Sequence, residues 1–360
     1  MSSDGNATGG NIGEWSEVYV FFRLLGEHEI CSCDANLNRT NEVFPILKII
    51  RGKLPDSAVF CYYHESTDTW EIKTGKTTSI KIKSSESTSE ADDLLALLLE
   101  NNKHPDRFAK AGKFLQRLSI EAIKAESHKK PDITLQISDV RAGTDPTCGF
   151  SIKSYLGQPP TLLNSSGDCT NFLFEVDGIS CDDVESINKL DKTKEIMRTI
   201  KAMGGRLIFQ QCCKDVFAEN LELIDTAAEQ VLAELLSAHY FENCGTISEA
   251  TEYVMANNIL RLRNPSAYKT LVKRLLDTVA LGMTPGTVWD GETDRTSGII
   301  IVKSDGDVVT YHVYNRDAFK QYLYMQTKFE RPSRKRHKYG YLFVADGKVY
   351  IKLALQIRFR

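Results

Sequence analysis

The sequence predicts a mixed α/β fold (α+β), with a mixed sheet flanked by helices and added antiparallel β hairpins. Three observations predict it. Residues 131–154 alternate apolar and polar side chains in two runs separated by turn residues. Several longer stretches repeat apolar residues at the three-to-four spacing of a helix. Residues 298–358 return to short alternating runs, joined through turns such as Asp346-Gly347.

Taken in order, residues 1–11 read as a disordered tail, because Gly, Ser and Asn dominate and only Met1 and Ala7 are apolar. Residues 14–25 read as a helix with Trp15, Val18, Tyr19 and Phe22 as its stripe, Gly26 as its stop, and Glu14 and Glu17 on a neighbouring face. Residues 44–51 read as a second amphipathic helix. Three alternating runs between 58 and 83 predict a small antiparallel sheet inserted among the N-terminal helices. A polar linker is expected over 84–90, then helices over 94–99 and 108–125.

The pair of runs at 131–154 carries most of the information. Ile133, Leu135 and Ile137 fall on one face and Asp132, Thr134 and Gln136 on the other; Phe150 and Ile152 oppose Ser151 and Lys153 in the same way. Residues 141–148, with Gly143, Asp145 and Pro146, supply the reversal. The polar faces then coincide, and a carboxylate and a lysine stand over a half-buried sheet, where oxygen ligands can hold a divalent metal and an amine can move a proton. The plainer reading is a pair of edge strands with solvated polar faces. By strict alternation Asp139 falls on the core side, unless a bulge changes the register.

Beyond the hairpin, 155–164 read as a loop in which Asn164 can cap a helix or reach a phosphate, and 170–176 as a strand. Helices are expected over 189–202, 221–236, 247–255 and 267–281. A hairpin over 298–303 and 308–314, a short helix over 316–324 and a second hairpin over 341–344 and 349–358 complete the chain. Between the last two lies an Arg-rich loop whose Arg334, Lys335, Arg336 and Lys338 are shaped to meet DNA, by base edges or phosphates.

Composition narrows the function. With 42% hydrophobic and 26% charged residues over 360 positions, the chain is an ordinary globular one with a large core. No apolar run suits a bilayer and no signal peptide is read, so a soluble, cytoplasmic protein is expected. The nine cysteines lack paired CxxC spacing and read as reduced thiols, not a zinc site. No GxxxxGK[ST] loop points to ATP-driven translocation. The net charge of −3 hides an asymmetry: residues 316–360 carry twelve Lys and Arg against three acids, a balance of +9 that leaves −12 on the rest. Such a distribution suits one face meeting a polyanion.

The Pro131-Asp132 pair with Lys153 resembles the PD-(D/E)xK nuclease core, except that Ser151 stands where an acid is expected. Together with Gly13-Glu14-Trp15-Ser16-Glu17, Thr161-Leu162-Leu163-Asn164, Thr170-Asn171-Phe172 and Gln356-Ile357-Arg358-Phe359, these residues resemble the HpaII family of type II restriction endonucleases over nearly the whole chain. The resemblance implies a restriction-endonuclease-like core at 131–245, preceded by helices with their β insertion at 12–130 and followed by a basic DNA-recognition region at 246–360. It implies magnesium-dependent cleavage of double-stranded DNA at CCGG, a cognate cytosine methyltransferase as companion, and a homodimer as one way to read a palindrome. Asp132 is expected to ligate magnesium with Glu17 or Asp139, and Lys153 to orient or deprotonate water. Ser151 and Gln136 are expected beside them, while Asp168 and Glu175 are alternative sources of the missing carboxylate. A catalytically silent DNA-binding protein is the rival reading.

Overall fold

The Asn11 side chain accepts from the Glu14 backbone N–H while the Glu14 carboxylate accepts from the Asn11 N–H, and this reciprocal cap starts α1 (Ile12–Glu27). The protein is seen in a computed structural model that describes residues 10–52, 58–74, 78–100, 107–120, 131–140, 142–165, 167–292, 297–312 and 315–360. The predicted tail up to residue 9, Arg141 in the predicted reversal, the end of the helix expected at 108–125 and positions 313–314 of a predicted strand lie outside them. Among the described residues no helix is long and apolar enough to cross a membrane.

The chain forms two compact units, Met1–Pro160 with Asp294–Phe319, and Thr161–Thr293 with Lys320–Arg360. The division falls within the stretch 131–245 and again within 246–360. In the first unit α1 is followed by β1 (Glu29–Cys33), β2 (Arg39–Arg51), β3 (Val59–His64), β4 (Thr69–Thr74), β5 (Thr78–Lys83), α2 (Ser84–Leu99), α3 (Ala109–Arg117), β6 (Ile133–Ile137) and β7 (Thr147–Ser154). The second unit contains β8 (Thr161–Leu163), β9 (Asn171–Asp177), α4 (Val184–Asn188), α5 (Thr193–Ala202), β10 (Arg206–Cys212), α6 (Asp215–Ile224), α7 (Ala228–Phe241), α8 (Ile247–Asn257) and α9 (Ser266–Leu281). The chain returns to the first unit with β11 (Gly298–Val302) and β12 (Val308–His312). It then passes through α10 (Arg316–Gln326) into β13 (Thr327–Phe329), α11 (Arg334–His337), β14 (Leu342–Ala345), β15 (Lys348–Ala354) and β16 (Ile357–Phe359) of the second.

The fold is therefore mixed α+β, as the alternating and helical patterns predict. Nine strands of the first unit form one sheet in the order β1-β12-β11-β7-β6-β2-β3-β4-β5. The three strands expected as a separate insertion at 58–83 are its outer edge. Strand β11 lies parallel to β7, so an inserted downstream hairpin sits at the middle of the sheet. A buried cluster from α1, α2 and α3, including Trp15, Phe22, Leu94 and Phe114, packs with Ile133, Leu135, Phe150 and Ile152.

Five further elements depart from the sequence reading. Residues 44–51 are strand, not helix: a register shift between Ile46 and Lys48 turns the buried positions from Phe44 and Ile46 to Ile49 and Arg51, and that one-residue bulge mimics helical spacing. The expected linker at 84–90 is the first two turns of α2, held by the Lys83 N–H donating to Glu86. The helix expected over 221–236 breaks at extended Asp225, whose carboxylate accepts from the Ala227 N–H, so it becomes α6 and α7. The Arg-rich loop contains a single helical turn, α11, and the final predicted strand is interrupted at 355–356 before β16.

Candidate active site

Antiparallel pairing sets Ile133 opposite Phe150 and Leu135 opposite Cys148. Continued by one residue, that register places Asp132 beside Ser151, with Lys153 two positions further along the same face. Asp132 lies just outside β6, yet it extends the ladder. Its N–H donates to the Phe150 carbonyl at 2.9 Å and its carboxylate accepts the Ile152 N–H at 2.8 Å. One oxygen is thus fixed by the backbone of β7. Gly149 makes this approach feasible, because a Cβ there would stand 2.6 Å from Cγ of Pro131, which packs directly on the strand.

The two flanks of the pair differ. On one side β11 sets Ile299 beside Ser151 and Ile301 beside Lys153, both fully buried, and Ser151 itself is 1% exposed. On the other side the polar face continues through Thr134 and Gln136 to β2, where Lys48 pairs with Gln136, and to β3, where Tyr62 pairs with Lys48. The Lys48 ammonium lies 4.9 Å from the Phe60 ring centre and 4.8 Å from that of Tyr62. Reading 44–51 as a helix hid Lys48. Alternation within a bulged strand is the signal that finds it.

The structure brings some predicted residues together and separates others. Asp132, Ser151 and Lys153 share one end of the hairpin, and Lys153 is half-buried with no ion pair among the described residues. Gln136 shares their face but sits about 13 Å along the strand, donating at 3.4 Å to the Asp145 carbonyl at the turn. Asp139 is about 23 Å along the chain from Asp132. It is buried, bridges Thr144 and accepts from the Ala142 N–H, so it closes the turn away from Asp132. Glu17 is carried by α1 and faces the buried Arg51 guanidinium, whose pKa burial pulls down to about 10 while Glu17 opposes the shift. Arg51 stacks over Phe21 on the α1 side of the sheet. Glu14 is engaged in the helix cap.

Asp168 and Glu175 belong to the second unit, in ion pairs with Lys214 at 3.5 Å and Lys348 at 2.9 Å. Among the described residues no three His, Cys, Asp or Glu side chains converge as a metal group. At the Lys153 end of the shared face stand the Asp132 carboxylate and the Ser151 hydroxyl. This hard donor set suits magnesium, which takes one or two carboxylates and keeps several waters, rather than zinc.

In the second unit the basic segment is built on a polar network. Ser165 lies 3.0 Å from His337 Nδ1 and donates to Gln356 Oε1, and Gln356 and Arg358 both donate to the Glu330 carboxylate. Arg334 does not project. It donates to the carbonyls of Leu190, Asp191 and Gly340 and stacks 4.0 Å over Tyr341. Lys335, Arg336 and Lys338 are exposed, as is Asn164. The sequence could not separate these roles, since which arginine finds free carbonyls depends on the tertiary fold.

A family model described as HpaII restriction endonuclease matches residues 11–359. The type II restriction enzyme HpaII of Haemophilus parainfluenzae is 36% identical over 355 residues, which cover 97% of this chain and 98% of that protein. No solved structure matches.

Proposed function

The chain belongs to the HpaII restriction endonuclease family and is a type II site-specific deoxyribonuclease, and from that premise we propose that it hydrolyses double-stranded DNA at CCGG with magnesium held at Asp132. The observation that supports this reading is the clamp between Asp132 and the β7 backbone, which sets a carboxylate and the Lys153 amine on one face. Bound there, magnesium supplies charge stabilisation at the phosphate and a more acidic water. Asp132 holds it with one oxygen oriented by the Ile152 N–H. Lys153 places a positive charge beside the scissile phosphate and orients the attacking water. Ser151 offers a neutral oxygen where an acid is expected, so a magnesium ion held at Asp132 would need water and the phosphate to complete its shell. Glu17 acts through its charge near Arg51, on the α1 side of the sheet.

Lys335, Arg336 and Lys338 contact DNA from the second unit, with Asn164 near a phosphate. A homodimer matches the twofold symmetry of the site read, and a cytosine methyltransferase protects the host's own copies. The test is digestion of unmethylated plasmid with and without magnesium, by the native chain and Lys153→Ala. Discrete magnesium-dependent fragments ending at CCGG, reduced roughly a thousandfold in rate by the substitution, are expected. Cutting at another sequence overturns the specificity, and undiminished cutting by Lys153→Ala overturns the site.

A further inference from the structure

The open face of the second unit's four-stranded sheet, ordered β10-β9-β15-β14, carries a cleft that cleavage chemistry does not use. Lys338, Tyr341, Phe343 and Lys352 line a cavity of about 260 Å³. We infer that this cleft binds a single unpaired DNA base, stacked on Tyr341 and Phe343, with Lys338 and Lys352 on the phosphates that flank it. The inference rests on the chain being a DNA-binding enzyme and adds a site for a nucleotide that has left the duplex.

The aromatic surfaces are exposed and preorganised. Tyr341 is 40% and Phe343 37% exposed, where a protein ordinarily buries such rings. One face of Tyr341 is covered by the Arg334 guanidinium, itself fixed by three carbonyls, so the ring is held while its other face stays open. Phe343 stacks against Tyr350, its cross-strand partner, with ring centres 5.7 Å apart and planes at 27°. Rings locked in this way lose little freedom when a base stacks on them.

The charges fit a polyanion. Neither the Lys338 nor the Lys352 ammonium has an ion-pair partner among the described residues, whereas the acids on the same sheet face are neutralised, Glu175 by Lys348 at 2.9 Å and Asp177 by Arg206 at 2.5 Å. Lys338 is held in a left-handed conformation, φ 50°, as the cap of α11, and the Gly340 N–H donates to the Lys352 carbonyl at 2.8 Å. Both lysines are therefore anchored at the backbone with free amines. A cavity of this size admits one base and excludes a duplex, which selects an extrahelical nucleotide over paired DNA.

The test uses the full chain without divalent metal and a duplex carrying one bulged 2-aminopurine, compared with the same base paired. The native protein is expected to quench the bulged fluorophore and to prefer the bulged duplex, with Phe343→Leu and Tyr341→Leu each weakening that preference roughly tenfold. Phe343→Leu keeps apolar volume, and a melting curve checks that both variants fold. Equal affinity for the two duplexes, or a preference untouched by either leucine, overturns the proposal. So does loss of the preference only in variants that fail to melt cooperatively. Because no cleavage is read, failure of Lys153→Ala to abolish cutting leaves this result independent.

Discussion

At Asp132 the charge and the hydrogen bond can be separated. Asn at this position keeps an oxygen to accept from the Ile152 N–H, so Asp132→Asn is expected to melt within about 1 kcal/mol of the native chain while cleavage falls roughly a thousandfold. A variant that still cuts at the native rate removes Asp132 from the chemistry. His239 gives a different readout. Burial pushes its pKa down to about 4 and the neighbouring Arg331 charge adds to the fall, while the bond from Nδ1 to the Cys244 carbonyl opposes it; Nε2 accepts from Arg331 at 3.3 Å. The unfolded chain protonates this imidazole near pH 6.5 and the folded chain only near 4. Its stabilising contribution is thus complete above 6.5 and is lost as pH falls through that window, by up to about 3 kcal/mol. His239→Gln should remove this pH dependence, so the native-minus-variant difference in stability falls between pH 7 and 4.5; a difference that does not change with pH refutes the assignment. The shared face of Asp132, Ser151 and Lys153 was legible because alternation alone determines it. The roles of Asp139 and Arg334 were not, since a turn contact and three distant carbonyls decide them.

Among the elements, the hairpin of β6 and β7 depends on Gly149. A Cβ there meets Pro131 at 2.6 and 2.9 Å, so Gly149→Ala displaces the residue that carries Asp132. We expect a loss of about 1–3 kcal/mol and a lower melting temperature, with cleavage reduced beyond what stability explains. Unchanged melting and activity would show that Pro131 yields without cost. Strand β2 matters for another reason: its bulge misled the helical reading and also returns Lys48 to the face shared with Gln136. Lys48→Ala should weaken DNA binding at every sequence alike and reduce the slope of log affinity against log salt by about one. A base-specific loss, or no change in slope, sinks that role. The helix split at Asp225 and the early start of α2 were hidden because side-chain caps, rather than apolar spacing, set them.

For the molecule as a whole, composition and strand periodicity disclosed the mixed class and the hairpin of β6 and β7, while the order of strands stayed hidden because pairing between distant segments leaves no local pattern. The neighbour that walls the Ser151 and Lys153 row arrives late in the chain. Phe150 pairs with Gly298, about 150 residues downstream, and a Cβ at Gly298 would stand 2.0 Å from the Tyr311 carbonyl, so this insertion is closely fitted. Ribosomes take on the order of ten seconds to cover that interval. During it β7 has a bare edge and the row of Ser151 and Lys153 lacks its apolar wall. A ribosome-stalled chain ending at residue 293 should accordingly cut no DNA and be open to proteolysis near β7, whereas one extended past β12 gains protection there. The apolar wall of this row is therefore supplied only after about 150 further residues have been made, so the order of the chain sets when the row is completed.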